Sequence, residues 1–151
     1  MNTQNFISLI FYAVMCGCRS YPSDAELLKA FQKRRPALDN VVALVKSNKQ
    51  LAECAAASSN GSSEQRKLEE LLKNANVKLI CGEQKHGEIL FSAYDGGPSA
   101  LNLTLKGYAY LNEQPRVMAQ NLDSWHPGSN ADSDQAFRHI EGNWYVFAFA
   151  R

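Results

Sequence analysis

Leu101-Asn102-Leu103-Thr104-Leu105-Lys106-Gly107-Tyr108-Ala109-Tyr110-Leu111 alternates between two chemistries along its length. Successive side chains of a strand point to opposite faces, so Leu101, Leu103, Leu105, Ala109 and Leu111 share one side and Asn102, Thr104, Lys106, Tyr108 and Tyr110 the other. The leucine side is expected to face a core. The tyrosine side is the candidate binding surface, because tyrosine combines apolar area with a hydroxyl at low entropic cost. The competing reading is that these rings pair across the sheet with neighbouring strands.

The period of two extends outward from this stretch. It predicts strands at about 77–81, 88–94, 101–111, 116–122, 136–140 and 144–150, and their order suggests an antiparallel meander. Asp95-Gly96-Gly97-Pro98 and Glu141-Gly142-Asn143 carry turn residues that tolerate positive φ, so each is expected to close a hairpin. In the last strand Trp144, Val146 and Ala148 oppose Tyr145, Phe147 and Phe149, and neither face is polar. A strand of that kind is central and buried on both sides, or has its second face covered by a loop or a partner.

The first half of the chain changes period to 3.6. Ser23 and Glu26 form an S-x-x-E capping box, and Leu27, Leu28, Phe31, Leu38, Val41, Val42 and Val45 then recur at helical spacing. The apolar phase continues across Pro36, which predicts one long helix kinked there rather than two helices. A short helical turn is expected over 51–57, then a polar loop over 58–63. A second helix follows, with Ser62 as its cap and Leu68, Leu71 and Leu72 on its buried face. Helices first and strands afterwards argue for an α+β fold: a long helix and a second helix on a curved antiparallel sheet of about five strands.

The beginning of the chain has another character. Residues 6–15 are apolar except for Ser8 and the hydroxyl of Tyr12, and this run is about half of what a bilayer span needs. It has the length of a secretory signal core. Closing on Met15-Cys16-Gly17-Cys18, it resembles a bacterial lipoprotein signal, in which a small residue precedes a cysteine that is acylated and becomes the mature N-terminus. That resemblance implies a signal peptide at 1–17, lipidation at Cys18 and an anchor and linker at 18–22, and the length that remains is that of a single domain, at 23–151. It also implies a lipid-anchored protein of the bacterial cell envelope. Arg19 and Ser20 after the anchor, with no Asp there, resemble lipoproteins of an outer membrane facing the periplasm.

The charge balance bounds the partners. With 16 Lys and Arg against 15 Asp and Glu, the net charge is +1. Binding nucleic acid by counterion release needs a basic face, and only Lys33-Arg34-Arg35 approaches one, so no nucleic-acid partner is expected. Cys54 and Cys81 remain after the anchor. They either pair in an oxidising periplasm, closing a loop of about 28 residues with roughly 3 to 4 kcal/mol of stabilisation, or stay as two buried free thiols. Their spacing is not that of a zinc site. Asn130, Asp132, Asp134 and Glu141 fall at the ligand spacing of an EF-hand loop, but Gln135 stands where its bend needs Gly and a strand follows. The loop therefore reads as a solvated turn, and neither a metal nor a cofactor is expected.

Glu26-Leu27-Leu28 with Phe31, Lys106-Gly107-Tyr108-Ala109-Tyr110, Leu122-Asp123, and Arg138-His139-Ile140 with Gly142-Asn143-Trp144-Tyr145 together resemble a group of small bacterial lipoproteins of unknown function. The likeness implies the anchor and the fold and carries over no catalytic residue. Two clusters could supply chemistry: His126 or His139 with Asp123 and Ser124 or Ser129 as a hydrolytic set, and Cys81 with His86 as a thiol pair. Neither sits in a nucleophile motif. The expected function is a non-enzymatic, membrane-anchored envelope domain that contacts another envelope protein through its sheet face or the 125–134 loop, with Tyr108, Tyr110, Trp125 and His126 as the binding surface. The alternatives are an inhibitor or immunity lipoprotein acting on a periplasmic hydrolase or toxin, and a hydrolase.

Overall fold

The computed structural model describes residues 22–48, 51, 63–80, 88–95, 103–125 and 134–150. Helix α1, Asp24–Ser47, starts at the capping box: Ser23 Oγ accepts the Glu26 N–H at 3.2 Å and Glu26 Oε2 accepts the Ser23 N–H at 2.7 Å. It runs unbroken through Pro36 and buries Leu27, Phe31, Leu38, Val41, Val42 and Val45, the phase predicted from spacing. Pro36 itself faces solvent, where the carbonyl that loses its partner can bond water. Helix α2, Ser63–Ala75, ends on Asn76 at φ 50, with the Val77 N–H reaching Leu72 O at 3.1 Å and the Asn76 N–H reaching Lys73 O at 3.0 Å. That pair of bonds is a Schellman motif, which needs a left-handed residue and here uses Asn instead of Gly.

Five strands follow: β1 Lys78–Ile80, β2 Ile89–Asp95, β3 Leu103–Tyr110, β4 Gln135–Glu141 and β5 Trp144–Ala150. They form one open antiparallel sheet in the order β1-β2-β3-β5-β4. The meander therefore holds only from β1 to β3. The connection after β3 carries the chain past the place beside it, β4 takes the edge, and the Gly142-Asn143 turn returns β5 into the gap. Gly142 sits at φ +53 in that turn. Residues 116–122 form no strand of the sheet. Only Met118 bridges Phe137, in parallel, with the Phe137 N–H on Val117 O at 3.1 Å and the Ala119 N–H on Phe137 O at 2.7 Å. This segment covers part of the outer edge of β4, a place where exposed backbone groups would otherwise invite pairing.

Register shifts fall at Ala93, Thr104 and Ile140, each an extra residue in one strand. Such bulges strengthen the local twist and curve the sheet. Opposite the first of them lies Gly107, whose Cα approaches β2 so closely that a Cβ there would sit 1.9 Å from Phe91 O.

Both helices pack on one face. Leu27, Phe31, Leu38, Val41 and Val45 of α1, with Leu68 and Ala75 of α2, meet Ile89, Phe91, Tyr108, Trp144, Val146 and Ala148. Phe31 lies edge-on to Trp144 at 5.4 Å and is tilted on Tyr108 at 5.6 Å. The opposite face carries a second apolar cluster of Ala109, Leu111, Phe137, Tyr145 and Phe147. β5, between β3 and β4, is buried on both sides, as its uniformly apolar pattern required. On β3 the assignment of faces is corrected: the Lys106-Tyr108-Tyr110 side lies under the helices, while Leu105, Ala109 and Leu111 belong to the second cluster. Two polar ends decide this. Tyr108, fully buried, donates its hydroxyl to Leu27 O at 2.9 Å, and Lys106 meets two carboxylates.

Candidate functional site

Lys106 is wholly buried in the middle of β3. Its Nζ lies 2.8 Å from Asp24 Oδ1 and 2.7 Å from Asp123 Oδ1. In register beside it are Ala148 of β5 and Ala136 of β4, whose short side chains leave room for the first turn of α1. Asp24 fills that room. Its Oδ2 accepts from Arg138 Nη1 at 2.8 Å and from the Leu122 N–H at 2.9 Å. Asp123 Oδ1 also accepts the Asp24 N–H at 2.8 Å, placing a negative charge on one of the orphan donors at the positive end of the helix. Two cations and two anions close the cluster without net charge. Burial pushes the Asp24 carboxyl up, but the hydrogen bonds from Lys106, the Leu122 amide and Arg138 outweigh it and hold it below its ordinary 3.8. The arrangement binds α1, β3, β4 and the 111–125 segment to one another, which is a structural task.

A second polar group occupies the opposite end of α1 and is open to solvent. Tyr110 ends β3, half-buried, with its ring edge-on to Trp144 at 5.2 Å. Lys46, in the last turn of α1, lies 4.3 Å from the centre of that ring and donates to its hydroxyl at 3.2 Å. Asn143, in the β4–β5 turn, donates its side-chain amide to the same hydroxyl at 3.2 Å. Lys46 also reaches Asn112 Oδ1 at 3.4 Å. The turn is tied to β3 by the Leu111 N–H on Asn143 O at 2.9 Å. Hydrogen bonds from Asn143 and Lys46 lower the Tyr110 phenol below its usual 10.0. Beside this group Trp144 Nε1 donates to Asp39 at 3.0 Å, and Arg35 bridges Asp39 at 3.4 Å and Glu141.

The residues singled out in the sequence scatter across this framework. Tyr108 and Trp125 are core residues, so neither offers its ring to a partner, and only Tyr110 of the proposed surface is accessible among the described residues. Cys18, Cys54, Cys81, His86, His126, Ser129, Asn130 and Asp132 lie outside the described residues. Glu141 pairs with Arg35 and Asp134 is exposed. Among the described residues no three His, Cys, Asp or Glu side chains are grouped to hold a metal ion. Asp123 is committed to Lys106 and the helix end, whereas His139 Nε2 meets Gly142 O at 2.9 Å and its ring lies against Tyr145. The structure does not bring these two together as base and orienting carboxylate.

Sequence reasoning missed Lys46, Asn143, Asp24 and Lys106. Lys106 did leave a signal, an ionisable side chain alternating with tyrosines in a strand otherwise fit for burial. Asp24 looked like an ordinary acid in a first helical turn, Asn143 was marked only as a turn residue, and nothing local marked Lys46. No family model matches this chain, and neither the curated proteins nor the solved structures compared with it contain a match.

Proposed function

We propose that the protein is a lipid-anchored domain of the bacterial envelope whose role is to bind another envelope protein, not to catalyse a reaction. The observation that carries this reading is the apolar run closing on Met15-Cys16-Gly17-Cys18. Two or three acyl chains on Cys18, at about 0.8 kcal/mol per buried methylene, would hold the protein firmly to a membrane. In this reading residues 18–22 are the anchor and linker, and the domain begins at Ser23, whose side chain caps α1. Among the described residues no helix is long and apolar enough to cross a membrane.

The test is the intact mass of the protein produced from its own N-terminus in a Gram-negative host. A mature chain beginning at Cys18 with acyl chains added, and a Cys18→Ala variant that is neither acylated nor cleaved before position 18, are the expected results. An unmodified chain beginning at Met1 would overturn the anchor. Crosslinking in intact envelopes followed by pull-down should recover one specific protein, and repeated failure to recover any would end the binding role.

A further inference from the structure

We propose that Lys46, Tyr110 and Asn143 form a receptor for a carboxylate side chain on an acidic segment of a protein partner. The inference rests on the binding role proposed above and names the chemistry of the partner.

The argument is one of hydrogen-bond capacity. A phenolic oxygen has two acceptor sites and one O–H to donate. At Tyr110 two donors already fill the acceptor side, Lys46 Nζ and Asn143 Nδ2, each at 3.2 Å. The hydroxyl proton is what it has left to offer. Lys46 bonds the Tyr110 hydroxyl and Asn112 and lies over the Tyr110 ring at 4.3 Å, so what it offers a ligand is its positive charge, while the Asn143 amide keeps its second N–H among the described residues. Two donors, the Tyr110 hydroxyl and the Asn143 amide, thus lie beside one ammonium. An acceptor that satisfies them together is an anion with two oxygens in a plane.

Among the described residues, Asp39 and Glu141 do not compete. Asp39 acts on the Tyr110 phenol only at a distance, and its oxygens are taken by Trp144 Nε1 and Arg35, while Glu141 is held by Arg35. The backbone positions that carry these groups are set before any ligand arrives. Tyr110 is held between Lys46 and Trp144, and Asn143 sits in a turn whose backbone is bonded to β3. A preorganised site loses less side-chain entropy on binding. The ring of Tyr110 adds an apolar edge beside the charge, which suits a peptide rather than a free ion.

Titration of the full-length protein in detergent with two blocked tripeptides, Gly-Glu-Gly and Gly-Gln-Gly, tests this, with the amide signals of Lys46, Tyr110 and Asn143 followed by NMR. The Glu peptide should shift those signals with a saturable dependence, and the Gln peptide, which keeps an acceptor oxygen but carries no charge to pair with Lys46, should bind about threefold more weakly. Lys46→Met should weaken the Glu peptide to a similar degree, and Tyr110→Phe should weaken it while leaving the spectrum otherwise folded. Equal response to both peptides, saturation by the Glu peptide that survives Lys46→Met, or acetate binding as tightly as the Glu peptide would each overturn the proposal. Because the titration reads this site directly, its failure is separable from failure of the anchor, which the mass of the mature chain reports.

Discussion

Position 107 has no room for a methyl group. An added Cβ would fall 1.9 Å from Phe91 O and 2.8 Å from the Ala93 nitrogen, both backbone atoms of the paired strand. No rotamer relieves such an overlap, so β2 and β3 must part at the bulge. Gly107→Ala is therefore expected to destabilise by about 3 kcal/mol or more, at the severe end for single substitutions, measured by denaturant unfolding. Unchanged stability would mean that β2 and β3 pair in another register. Gly142 differs in kind. Nothing lies within 4 Å of its missing Cβ, so only its φ of +53 resists a side chain. The sequence marked Gly142 through its turn neighbours, but it gave no sign that Gly107, inside a strand, answers to a close backbone approach.

At the scale of elements, the central feature is the attachment of α1 by its first turn. Its apolar stripe was readable from spacing, and any sheet face could have received it. What sets its position is Asp24 between Lys106 of β3 and Arg138 of β4. Removing one partner of a buried ion pair strands the other charge and costs about 3 to 5 kcal/mol. Arg138 and Asp123, with 33% and 39% of their side chains exposed, keep one flank of this cluster in water. Lys106→Met and Asp24→Asn should therefore each cost about 3 kcal/mol, the low end of that range. The double variant should cost at least about 1 kcal/mol less than their sum, because the two groups act as a unit. Strict additivity in chemical denaturation would show that they do not interact.

For the whole molecule, the same cluster determines the response to acid. The Asp24 carboxyl titrates at its ordinary 3.8 in the unfolded chain and below it in the fold. Above that value both states are ionised and the stabilisation is complete. As the pH drops below it the unfolded chain takes up the proton first, and the stabilisation disappears as the pH falls through the folded value. Glu26 works in the same direction, its carboxyl held low by the hydrogen bond from the Ser23 backbone. The contribution of these two groups should be constant from about pH 5 to pH 7 and fall below about pH 4, with the fall shallower in Asp24→Asn; thermal melts across that range measure both. An equally steep acid loss in the variant would assign it to other carboxylates. The sequence by itself determined the two helices, the capping box, the Gly142 turn and the places of the five strands, with a sixth at 116–122 that does not form, because each depends on residues a few positions apart. The tertiary structure alone decided the strand order, the side of β3 that meets the helices, and the gathering of Lys46, Tyr110 and Asn143. Both sides of β3 are fit for burial, so its alternation could not rank them. The choice fell to Lys106 and Tyr108, whose buried polar ends find partners on the helix side, in Asp24 and Leu27, roughly 80 positions away along the chain, and in Asp123, 17 positions away.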